Sequence, residues 1–97
     1  MIGRQIDSRV VFAEEALSVT SGAAVGFTAA TMGNATGATV QVQVAQVRSR
    51  IGSTAPTATV GKIRNVGDEF DVTGNDVRDF KAIAPGATAT LWVEYWR

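Results

Sequence analysis

The chain has no cysteine and no histidine among its 97 residues. The first absence excludes disulfides, thiolate metal sites and thiol catalysis, and it leaves the redox compartment open. The second removes the commonest general base, proton shuttle and transition-metal ligand together. Leucine is nearly missing, present only as Leu17 and Leu91, and proline occurs twice. Net charge is absent as well: nine basic residues cancel nine acidic ones, with three of each sign in residues 1–48 and six of each in the rest. The charges form no run, so no basic field attracts a phosphate backbone, and nucleic acid is not an expected partner. No apolar run approaches the roughly 20 residues that span a bilayer, and MIGRQIDSR, residues 1–9, lacks the regions of a signal peptide. The expectation is a soluble protein with no membrane partner, made and kept inside the cell until it assembles.

What is present favours strands. Val, Ala and Thr dominate, Gly is frequent, and β-branched residues suit the pleated backbone. A chain of this length makes one domain and buries roughly 60–65% of its unfolded surface, enough for a single core without staples. Turn signals recur at short intervals: Ser21-Gly22, MGNATG at 32–37, Gly52-Ser53, Val66-Gly67-Asp68, Thr73-Gly74-Asn75-Asp76 and Pro85-Gly86. Between them TVQVQVAQVR, residues 39–48, alternates with Val40, Val42 and Val44 on one face, then slips out of phase at Val47. A β-bulge at Ala45-Gln46 would restore the apolar face. Residues 24–30 place Val25 and Phe27 together, and Glu69–Thr73 does the same for Phe70 and Val72. Residues 77–83 space Val77, Phe80 and Ile83 by three, which fits a bulged strand or a short helical turn. VVFAEEAL, residues 10–17, contains good helix formers, but an extended strand is favoured. Ala89–Trp96 closes the series. The predicted fold is all-β: an antiparallel β-sandwich (jelly-roll-like), with a small β-barrel as the second architecture.

No constellation of catalytic groups emerges. DEFDVTGND, residues 68–76, offers oxygen ligands but not the spacing of a calcium loop, and it reads as a strand flanked by turns. Adjacent Glu14 and Glu15 point to opposite faces of a strand and cannot form an acid–base pair. With no histidine, a serine or threonine nucleophile would need Lys62 or Lys81, and nothing local arranges that. Neither enzymatic activity nor any cofactor or metal is expected. Arg48, Arg50, Lys62 and Arg64 could form a basic stripe across neighbouring strands, and pairing with acidic groups across the sheet or on a partner is the favoured reading.

The closing LWVEYWR, residues 91–97, is the most telling stretch. Strand alternation sets Leu91, Val93 and Tyr95 on one face and Trp92, Glu94 and Trp96 on the other. The first set is core. A glutamate between two indoles is a poor candidate for burial, so the second face reads as a boundary sealed by another subunit. A carbohydrate-binding module using Trp92, Tyr95 and Trp96 as a platform is the competing reading, and alternation opposes it, because Tyr95 points away from both indoles.

Across residues 53–95 the order of features resembles that of small structural proteins of tailed-phage virions. The features are Thr54–Gly61 (TAPTAT-x-G), the turns Gly67-Asp68 and Gly74-Asn75, Phe80–Ile83, and the Leu91-Val93-Tyr95 strand, with Gly26-Phe27-Thr28 as weaker support. They are turn and core residues that weigh as a set. The resemblance implies a virion β-sandwich, first a capsid decoration (cement) protein and alternatively a tail or head-fibre attachment protein. It implies a major capsid or other virion protein as partner, a homo-oligomer, commonly a trimer, and residence in the virion after synthesis in the host cytoplasm. Residues 1–9, with Arg4, Ile6 and Arg9, would form an extended arm reaching a neighbour, ahead of a single domain over 10–97. Trp92, Glu94, Trp96, Arg4, Ile6 and Arg9 are therefore the expected interface residues.

Overall fold

A computed structural model describes residues 9–97. Its strands are β1 (Val11–Val19), β2 (Gly37–Gln43), β3 (Val47–Arg50), β4 (Lys62–Arg64), β5 (Glu69–Thr73), β6 (Lys81–Ile83) and β7 (Ala89–Trp96). Two helical turns interrupt them, α1 (Ala29–Met32) and α2 (Asp76–Asp79). The strands form two antiparallel sheets, one of four strands in the order β1-β7-β2-β5 and one of three in the order β4-β3-β6. The fold is all-β, with a core shared by both sheets, as a small sandwich requires.

Alternation explains the larger sheet. Leu91, Val93 and Tyr95 of β7 are fully buried. They stand opposite Val42, Val40 and Ala38 of β2, and on the other side opposite Leu17, Glu15 and Ala13 of β1. The smallest of these β2 residues, Ala38, faces the largest ring, Tyr95, so volumes complement across the pair. Val47 of β3 and Ala82 of β6 join the same cluster from the smaller sheet, so the inward faces of the two sheets meet. Phe27 stacks on Phe80 at 4.7 Å and meets Tyr95 edge-on at 5.5 Å. Valine and alanine fill most of the remaining space, which is how a core forms with so little leucine.

Two expectations are corrected. Residues 39–48 are not one bulged strand: the chain leaves the larger sheet after Gln43 and enters the smaller one at Val47. The corner turns on Val44, which has φ 77° and is 75% exposed rather than on the apolar face with Val40 and Val42. The phase slip at Val47 thus marks a change of sheet. Residues 24–30 make no full strand, because only Val25 bridges, to Ala82, before Ala29 starts α1. Residues 77–83 combine both alternatives, a helical turn at Asp76–Asp79 followed by the short strand β6. Residues 10–17 are extended within β1, which bulges between Val11 and Ala13. The arm expected at 1–9, with Arg4 and Ile6, lies outside the described residues except for Arg9.

Candidate functional site

The pairing registers lay out the outward face of the larger sheet row by row. Glu94 stands opposite Glu14 of β1 and Thr39 of β2, and Thr39 stands opposite Asp71 of β5. In the next row Trp92 lies between Ala16 and Gln41, with Glu69 beyond. In the row on the other side, Trp96 lies between Val11 and Gly37. Trp92 is half-buried, and its indole N–H donates to Glu94 Oε2 at 3.2 Å. Glu14 and Glu94, two carboxylates directly opposite one another, cost the sheet about 0.2–1 kcal/mol.

The two tryptophans share this face but not its exposure. Trp96 is only 8% exposed, covered by its own chain. Its ring lies across Gly37, where a β-carbon would fall within 2.5 Å of Cζ3 and closer still to the neighbouring ring carbons. Arg9 covers it from outside, with the guanidinium 4.2 Å from the ring centroid and its Nη1 bonded to Asp71 Oδ2 at 3.0 Å. The indole N–H donates to Thr39 Oγ1 at 3.2 Å, and Thr39 donates onward to Asp71 Oδ1 at 2.8 Å. The expectation of two indoles awaiting another subunit is therefore corrected for Trp96, and Trp92 is the ring left with free surface.

Glu15, on the opposite face of β1 from Glu14, faces inward. Its carboxylate accepts from the Tyr95 hydroxyl, from Thr28 Oγ1 at 2.6 Å and from Thr28 N–H at 3.2 Å. Burial, reinforced by the Glu15 hydrogen bond and charge, raises the Tyr95 hydroxyl above its ordinary pKa, so it stays a donor. The cluster ties the segment before α1 to β1 and β7. Only a carboxylate supplies enough acceptor positions for all three donors.

The smaller sheet carries the opposite charge. Arg48 and Arg50 of β3 alternate with buried Val47 and Ser49, so they face outward, and Arg50 stands directly opposite Lys81 of β6. Ile63 of β4, opposite Arg48, is 46% exposed on that face. Arg64 lies on the inward side with its guanidinium 3.8 Å from the Phe70 centroid, and burial lowers its pKa against the opposing pull of Asp68. The expected stripe is corrected: Arg48 and Arg50 face outward with Lys81, whereas Lys62 and Arg64 stand opposite the buried Ser49 and Val47 on the other face, and among the described residues the ion pair found is Arg9–Asp71. Also among the described residues, no three potential metal ligands converge and no ligand-sized cavity opens.

Of the expected interface residues, Trp92, Glu94, Trp96 and Arg9 come together on this outward face, while Arg4 and Ile6 lie outside the described residues. Tyr95 is buried on the opposite face, so no platform of three rings exists. Sequence reasoning missed Gly37, Thr39, Glu15 and Asp71. Only Gly37 left a signal, as a glycine opening a strand. Compared with family models, with curated proteins and with solved structures, the chain finds no match.

Proposed function

We propose that this protein is a non-catalytic structural protein that works by adhesion, and specifically a decoration (cement) protein of a tailed-phage capsid. The observation that carries the adhesive reading is Trp92: a partly exposed indole within the larger sheet, rimmed by Glu94, Glu14 and Gln41. An aromatic anchor inside a polar rim is the anatomy of a protein contact. The virion assignment rests on the resemblance across residues 53–95. Such a protein binds the assembled lattice and not loose shell subunits, and so stabilises the shell by mass action.

The test labels purified virions of the encoding phage with an antibody to the chain. Label over the head supports decoration, and label over the tail supports the attachment alternative. Virions free of label refute both. In parallel, the wild-type protein should sediment with shells stripped of it, whereas Trp92→Ala, shown by circular dichroism and a cooperative unfolding transition to be folded, should stay in the supernatant.

A further inference from the structure

The chain is electrically neutral, yet its two sheets are not. The strands of the larger sheet hold no base, and four of their carboxylates, Glu14, Glu69, Asp71 and Glu94, face outward, with Arg9 paired to Asp71 and Glu15 turned inward. The strands of the smaller sheet hold no acid, and three of their cations, Arg48, Arg50 and Lys81, face outward, while Lys62 and Arg64 stand opposite the buried Ser49 and Val47. The inward faces of both sheets share one core, so their outward faces look away from each other. Each outward face also contains a cross-strand pair of like charges, Glu14 with Glu94 on one and Arg50 with Lys81 on the other. Like charges placed directly opposite destabilise a sheet. Neither pair is neutralised by an ion pair among the described residues, where Arg9–Asp71 is the one found.

We infer that copies of this chain associate head to tail, the acidic Trp92 face of one copy docking on the cationic outward face of the next. This rests on the adhesive reading of the Trp92 face and names its partner, a second copy. Charge complementarity selects that occupant: the cations that would relieve Glu14 and Glu94 are carried by the same chain, on a face that its own acidic face cannot reach. Trp92 supplies the apolar centre on one side, and Ile63 beside Arg48 supplies it on the other. The contact is heterologous, joining two different patches. It therefore closes into a ring when the rotation between copies permits, three copies for a turn of a third, and otherwise continues as a filament.

The test uses the purified full chain in sedimentation velocity at about 0.1 M and about 1 M salt, where the screening length falls from ~10 Å to ~3 Å. Oligomers at the lower salt that dissociate at the higher are expected. E94K and K81E, each reversing one face, should separately weaken association at least tenfold. Mixing the two variants should restore it, because the reversed faces complement one another. Circular dichroism and thermal unfolding of each variant confirm folding, and E14K and R50E serve as second variants on the two faces. A wild-type chain that stays monomeric at low salt overturns the inference. So does association that survives both reversals, or a monomer whose cationic face instead binds a short DNA duplex. Failure here is separable from failure of the decoration role: shell binding by a monomer sinks only the inference, and oligomers found in no virion sink only the role.

Discussion

Replacing Gly37 by alanine adds one methyl group, and the packing of Trp96 makes it costly. The new carbon would enter the space of the six-membered ring of the indole. The Gly37 backbone is held on both sides, by Thr73 of β5 and Trp96 of β7, so the ring must move. A Trp side chain buries roughly 150–250 Å², and losing one of its two covered faces at about 25 cal/mol per Å² costs about 2–3 kcal/mol. Displacement also breaks the indole bond to Thr39 and the stacking of Arg9, together about 1–2 kcal/mol. Alanine returns about 0.5–1 kcal/mol by restricting the unfolded chain. The net expectation is a loss of about 2–4 kcal/mol, read by urea unfolding. The decisive comparison is a double-mutant cycle with Trp96→Ala. If Gly37 matters as the seat of that ring, Gly37→Ala should cost almost nothing once the indole is gone, leaving a coupling energy above about 1 kcal/mol. Additive effects, or a single variant within about 0.5 kcal/mol of wild type, would refute the reasoning.

Three further outcomes follow from the same geometry. Glu15→Ala should destabilise by about 2–4 kcal/mol, since it strands the buried Tyr95 hydroxyl, whereas Tyr95→Phe should cost only about 1 kcal/mol; equal losses in chemical denaturation would contradict the cluster. Because the Tyr95 hydroxyl is raised above its unfolded value of 10.0, its contribution is complete below that pH and is lost as pH rises beyond it. The slope approaches about 1.4 kcal/mol per pH unit and should be absent from Tyr95→Phe; superimposable alkaline stability curves for the two proteins would exclude the effect. Val44→Asn should stabilise by about 1 kcal/mol, read as a higher unfolding temperature, because a β-branched residue at φ 77° is strained and its side chain packs on little.

The strands were readable where one face meets the core and the other meets water. β7 follows its alternation from Ala89 to Trp96, with Leu91, Val93 and Tyr95 buried. Alternation fails as a guide where the chain changes sheet. Val44 continues the apolar pattern of Val40 and Val42, but a corner has no pleat to obey, and the side chain ends in solvent. Exposure on the outward face depends on contacts that sequence spacing does not contain. Trp92 and Trp96 are equivalent by period, yet Trp96 finds a glycine across the strand and Trp92 finds Gln41. The missing side chain at Gly37 makes one indole structural and leaves the other available.

Charge illustrates the same point at the scale of the domain. Arg48 and Arg50 alternate with buried Val47 and Ser49, so their outward direction is legible in the sequence, but only the register shows that Lys81 joins them and that Lys62 and Arg64 do not. The acidic counterpart is assembled from β1, β5 and β7, and only the order β1-β7-β2-β5 makes those carboxylates neighbours. Net charge averages over both faces and reports zero, but a partner does not sample the average. Packed sheets lie about 10 Å apart, and at physiological salt charges are screened over about 8 Å. The outward side chains of one sheet therefore stand beyond the reach of those on the other, and each face presents its own sign to whatever approaches. A neutral chain built this way is steered as a dipole, and the proposed head-to-tail contact is the arrangement that pairs its two faces.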